Sequence, residues 1–128
     1  MPKVSKQSAS HVEDQGPVED HREDVDGYTV NFLSFRQDVD ATPMLKGLAG
    51  DSCQCPHWGY VLKGRLIMRF ADHEEVCEAG DAFYAPPGHV PFHEANSEVL
   101  SFSPADELKA AEEAMMKNMQ AMQDGSTP

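Results

Sequence analysis

The chain has 128 residues, with 22 acidic side chains against 10 Lys and Arg and a net charge of -12. That length suits one domain around one hydrophobic core, and the absence of any Lys/Arg cluster that could neutralise a run of phosphates argues against nucleic acid and membrane as partners. The opening "MPKVSKQSAS" has no apolar stretch of the kind a signal sequence carries, and no run approaches the ~18 apolar residues of a spanning helix, so a cytoplasmic location is expected.

Residues 1–27 carry Lys3, Lys6 and Arg22 against Glu13, Asp14, Glu19, Asp20, Glu23, Asp24 and Asp26, without an aromatic side chain. So polar a segment buries too little apolar area to offset its ordering entropy, which predicts a disordered or weakly docked acidic arm that is dispensable for stability. His11 and His21 lie in this arm and read as solvated polar residues.

From Tyr28 onward the texture changes to short β-type runs: "YTVNFLSFR", "GYVLKG", "RLIMRFAD", "EEVCEAG", "DAFYAPPG" and "EVLSFSP". Strands of this length and spacing predict an all-β sandwich or barrel over residues 28–104. In "RLIMRF" Leu66, Met68 and Phe70 share one face and Arg65, Ile67 and Arg69 the other, the period of a strand with one wetter side. Lys63 and Gly64 in "LKGRL" predict a tight hairpin, and "ADHEEV" predicts another turn, with His73 solvated. Cys77, alone in "EEVCEAG", reads as a small buried hydrophobe.

The period then shifts. In "SPADELKAAEEAMMKNMQAMQ", Ser103 is placed as an N-cap with Pro104 at the first helical position, and strong helix formers follow, predicting a C-terminal helix over 105–123. Leu108, Ala111, Met115, Met119 and Met122 recur at three- and four-residue intervals and form one apolar stripe for docking on the β domain or on a second subunit.

Chemistry concentrates in "CQCPHWGYVLKG", Cys53 to Gly64. If the stretch is extended, Cys53, Cys55, His57, Gly59 and Val61 point to one face, which Val61 marks as inward, and Trp58 falls on the other as a packing residue. Imidazole and thiolate together suit zinc, nickel, copper or iron better than magnesium or calcium. The three cysteines are an odd number, and Cys53 and Cys55 are too close along a strand to bridge without strain, so reduced thiols are expected.

"GDAFYAPPG" has the glycine, five residues, then P-x-G pattern that opens the second cupin motif, and "HWGYVLKGRL" resembles the end of the first. Over about residues 28–104 the chain is thus similar to small single-domain cupins. The resemblance implies a double-stranded antiparallel β-barrel of jelly-roll type, followed here by the C-terminal α-helix. The motif residues depart from the family's pattern. The glutamate three residues before the tyrosine is replaced by His57, the earlier positions hold Cys53 and Cys55, and the usual histidine after P-x-G is Pro91, flanked by His89 and His93.

The ligand set expected from these positions is Cys55, His57, His89 and His93, with Cys53 last in order. The resemblance implies a barrel that binds a divalent transition metal, a small organic ligand, or both. A metal-dependent dioxygenase or isomerase is the enzymatic alternative, and a ligand-sensing or protein-interaction module the non-enzymatic one. Because sheet edges and the Met-bearing stripe need covering, a homodimer is expected.

Overall fold

Alternating side chains, interrupted by turn residues, divide the protein into short strands and one helix in the computed structural model, which describes residues 1–123. The strands are β1 (His11–Asp14), β2 (Val18–Val25), β3 (Tyr28–Phe35), β4 (Val39–Asp40), β5 (His57–Lys63), β6 (Arg65–Arg69), β7 (Glu74–Glu78), β8 (Ala82–Ala85), β9 (Val90–His93) and β10 (Glu98–Pro104). The helix α1 (Ala105–Gln123) follows β10 directly. All pairings are antiparallel, in a six-stranded sheet ordered β1-β2-β3-β10-β5-β8 and a four-stranded sheet ordered β4-β9-β6-β7. The expected all-β class with one C-terminal helix thus holds as two antiparallel sheets and α1.

The inner faces of the two sheets meet in a cluster of Val61, Leu66, Met68, Cys77 and Ala85. Leu66 and Met68 are buried on the face that the period-two pattern of β6 assigns to the core, and Cys77 packs opposite Leu66 as a buried thiol. Burying one such Leu side chain contributes about 1.5–3 kcal/mol. A second cluster joins Ala41, Leu45, Cys53 and Cys55 to Leu108 and Ala111 of α1, with Met115 against its edge. The helix stripe therefore docks on the chain segment that leads into β5, while Met122 stays exposed.

The structure corrects several expectations. Residues 11–25 are not a disordered or weakly docked arm: β2 pairs with β3 along its whole length, Val18 opposite Phe35 through Val25 opposite Tyr28, and β1 pairs with β2. The cause is that β2 turns Asp20 and Arg22 inward to polar partners, so its docking does not depend on apolar area. "LKGRL" is not a hairpin, because β5 lies in the larger sheet and β6 in the smaller one. Gly64 is instead the corner where the chain changes sheets, with φ of 77° and room for no Cβ, since one would lie 2.4 Å from Ser97 Oγ. Ser103 does not act as a helix cap; its hydroxyl is turned inward to His57.

Candidate metal centre

Three loops and strands converge beneath α1. His57 opens β5, Cys53 lies four residues earlier in the bend before that strand, and His89 sits in the turn between β8 and β9. An isolated antiparallel bridge ties the last two together, with Cys53 N–H donating to the His89 carbonyl at 2.8 Å and Gly88 N–H donating to the Cys53 carbonyl at 2.8 Å. One donor atom from each of Cys53, His57 and His89 lies within 4.8 Å of the other two, a geometry that could hold a metal ion.

Each imidazole has one nitrogen fixed and the other free. His89 is fully buried, and its Nδ1–H donates to the Pro86 carbonyl at 2.8 Å. That bond sets the tautomer and leaves Nε2 as a lone-pair donor. Among the described residues, His89 Nε2 is the buried side-chain nitrogen or oxygen left without a hydrogen-bond partner. Such an atom carries a desolvation cost of about 1–3 kcal/mol unless something coordinates it. His57 Nδ1 lies 2.6 Å from Ser103 Oγ, and its Nε2 lies 3.9 Å from Cys53 Sγ. In a tetrahedral zinc site with bonds of about 2.1 and 2.3 Å, two such donors stand roughly 3.6 Å apart.

Burial keeps both rings neutral. Desolvation lowers His57 to about 3, with the neighbouring His89 adding to the effect, and lowers His89 despite the Pro86 carbonyl that favours its protonated form. The Cys53 thiol is pushed up, first by burial and also by Glu112, so it is protonated when no cation is present. A metal ion reverses that preference, because the thiolate is the coordinating form.

The structure does not bring Cys55 and His93, both expected as ligands, into this group. The chain bends at Gln54 to Pro56, so residues 53–57 are not one extended strand and the assumed alternation fails. Cys55 instead faces the α1 cluster with its Sγ 3.5 Å from the Pro56 carbonyl, and burial pushes its thiol up to about 12. His93 stacks on Phe35, with ring centroids 3.8 Å apart and planes 9° from parallel. Desolvation lowers its pKa to about 3, with His57 as a further cause. The remaining histidines lie elsewhere: His73 stacks on Phe70 in an exposed turn, His11 contacts Glu13, and His21 is held by Glu19 and the Lys6 carbonyl.

His57 and His93 both look into a cavity of about 120 Å³ between the sheets. Leu66, Met68, Phe83 and Val99 form its apolar wall, and Asp20, Arg22, Asn31, Ser101, Ser103 and Glu112 supply polar groups. Gly59 belongs to the same arrangement, since a Cβ there would meet Phe83 at 2.3 Å and the Leu100 carbonyl at 2.9 Å. Asp20 and Arg22 were missed by sequence reasoning because "VEDHREDV" is charged on both faces. Glu112 was missed because it lies beside, not on, the apolar stripe of α1. Trp58 is on the outer face as expected, against Tyr28 and Tyr84.

No family model and no curated protein matches the chain. Solved structures do. A protein of unknown function from Rhizobium leguminosarum bv. viciae 3841 is similar with TM-score 0.58 and 18% identity, over 80% of this chain and 95% of that one. An RmlC-like cupin from Shewanella frigidimarina NCIMB 400 is similar with TM-score 0.55 and 16% identity, over 81% and 92% of the two chains. The polyketide cyclase RemF from Streptomyces resistomycificus is similar with TM-score 0.56 and 14% identity, over 81% and 79%. Identities this low speak for the fold alone. With its two antiparallel sheets and the partial motifs at Cys53–Gly64 and Gly80–Gly88, the chain is a small cupin-fold protein.

Proposed function

We propose that the protein holds a divalent transition metal on Cys53, His57 and His89 and binds a small organic molecule in the adjoining cavity. The observation that carries this reading is the buried, partnerless His89 Nε2, fixed by its own Nδ1–H bond and grouped with a thiol and a second neutral imidazole. Two nitrogens and one sulfur suit zinc, with nickel, copper and iron as further candidates. Bound there, the metal would supply a Lewis acid. The residues' own contribution is orientation and dryness: Pro86 and Ser103 fix the rings, and burial under α1 excludes water from the donors.

An enzymatic role is the second reading. It is supported by His57 and His93, two neutral imidazoles that line the same cavity and can orient a bound molecule there. The polyketide cyclase has a similar fold, which supports this reading without naming the reaction here.

Elemental analysis of protein purified without a histidine tag tests the metal. Wild type should carry close to one zinc, nickel, copper or iron per chain, and His57→Ala should lose most of it. His73→Ala, in the exposed turn, should keep it. Metal-free wild type after reconstitution with each ion would overturn the reading.

A further inference from the structure

The cavity that His57 lines is also lined by a partly buried ion-pair network that includes none of the proposed metal donors. Arg22 Nε and Nη2 donate to Asp20 Oδ2 at 3.0 and 2.7 Å, and Asn31 Nδ2 donates to both oxygens of the same carboxylate at 3.0 and 3.2 Å. The guanidinium also donates through Nη1 to Glu112 Oε1 at 2.8 Å and through Nη2 to Glu112 Oε2. Arg22 therefore holds two carboxylates at once, and they are not equivalent. The Asp20 side chain is 10% exposed and locked by Asn31, whereas that of Glu112 is 34% exposed and projects from a helix.

The pair has a second property. Arg22 and Glu112 line the inner cavity, an outer groove of about 770 Å³ between β2 and the start of α1, and an apolar groove of about 250 Å³ beside Met115, Met116 and Met119. One ion pair thus forms part of the wall between the histidine-lined cavity and both surface grooves.

We propose that Arg22 is the recognition residue for a small carboxylate ligand, and that Glu112 is a built-in stand-in for that carboxylate. The guanidinium fork suits a bidentate carboxylate. An incoming carboxylate that replaces Glu112 leaves Arg22 with two anionic partners, so no buried charge is stranded, and the freed Glu112 regains water at the helix surface. Asp20 stays in place as the fixed partner that aims the fork. The cavity volume corresponds to about four liquid water volumes, which limits the ligand to roughly six non-hydrogen atoms. Leu66, Met68 and Phe83 would cover its apolar part, with its far end toward His57. The inference rests on reading the cavity as a ligand site but not on the metal.

The test is an NMR titration of the full chain with pyruvate and with pyruvamide, its neutral analogue, run with and without added zinc. Pyruvate should shift the Arg22 Nε–H resonance and saturate, and pyruvamide should bind about tenfold or more weakly. Glu112→Gln, which removes the competitor, should tighten pyruvate about tenfold, while Glu113→Gln, one residue along and off the Arg22 contact, should leave it unchanged. Arg22→Gln should abolish saturation. Because Arg22→Gln also strips Asp20 of its cationic partner, the gain in Glu112→Gln is the deciding arm: misfolding cannot produce it. Equal binding of pyruvate and pyruvamide would overturn the carboxylate assignment and keep the ligand cavity. Absence of binding by both probes in wild type and in Glu112→Gln would overturn the ligand cavity as well. Metal content measured on the same samples would stand apart from either result.

Discussion

Cys53, His57 and His89 are gathered in one group, and the burial of their donors fixes how the site answers to pH. His57 is held neutral down to about 3 and His89 is lowered by burial, so neither ring has a proton to lose near neutrality. The Cys53 thiol, pushed above its ordinary value of 9.0, is the donor that must release one. Metal affinity should therefore rise by about tenfold for each pH unit between 6.5 and 8.5, as one proton is displaced per ion bound. Competition with a chromophoric chelator across that range measures the slope. Cys53→Ser should flatten it, and a slope near zero in the wild type would mean that the thiol does not coordinate.

At the scale of elements, β2 and the β5–β6 corner carry the consequences. Removing residues 1–26 would delete β1 and β2, leave an edge of β3 unpaired and strip Asn31 of Asp20, so the melting temperature should fall sharply. Removing residues 1–9 should cost little, because that stretch is held mainly by Lys6 contacts to Ser34, Glu98 and His21. Thermal melts of the two truncations distinguish a sheet strand from a dispensable arm. An unchanged melt for the longer one would restore the arm. Gly64→Ala combines a positive φ with a Cβ 2.4 Å from Ser97 Oγ, and it should cost about 1–3 kcal/mol in a urea titration.

These elements also show what the sequence made legible. Strands with one apolar face, such as "RLIMR", and the stripe-bearing helix could be read because their periods are local properties. Strand β2 could not, because its inward positions are Asp20 and Arg22, and charge hides the alternation when the buried partners are themselves polar. The site was half legible for a related reason. His57 and His89 stand out beside the two partial motifs, but choosing Cys53 over Cys55 required knowing that the chain bends at Gln54 to Pro56, a tertiary fact. His93 was placed by spacing alone, whereas its ring is committed to Phe35.

Across the whole molecule, the outer face of the larger sheet is the least satisfied surface. Phe102, Trp58 and Tyr84 are neighbours in register across β10, β5 and β8, and Tyr28, Tyr60 and Leu62 are also exposed there. Monomers rarely leave so many contiguous large apolar side chains in water. With a net charge of -12, two copies repel over most of their surfaces and approach best through an uncharged one. The expected homodimer is therefore predicted to close through this face. Sedimentation at micromolar concentration should give a dimer, and a Trp58→Glu, Tyr84→Glu variant should give a monomer with unchanged metal content; a monomeric wild type would refute the assembly.

The central claim is the identity of three donors, and cobalt substitution tests it most directly. Cobalt(II) bound by two imidazoles and one thiolate gives a sulfur-to-cobalt charge-transfer band in the near ultraviolet together with intense visible bands of low coordination number. The wild type and Cys55→Ser should both show these bands, Cys53→Ser should lose the charge-transfer band, and His89→Ala should lose the visible bands. A spectrum that survives Cys53→Ser, or that collapses with Cys55→Ser while the protein remains folded, would contradict the centre described.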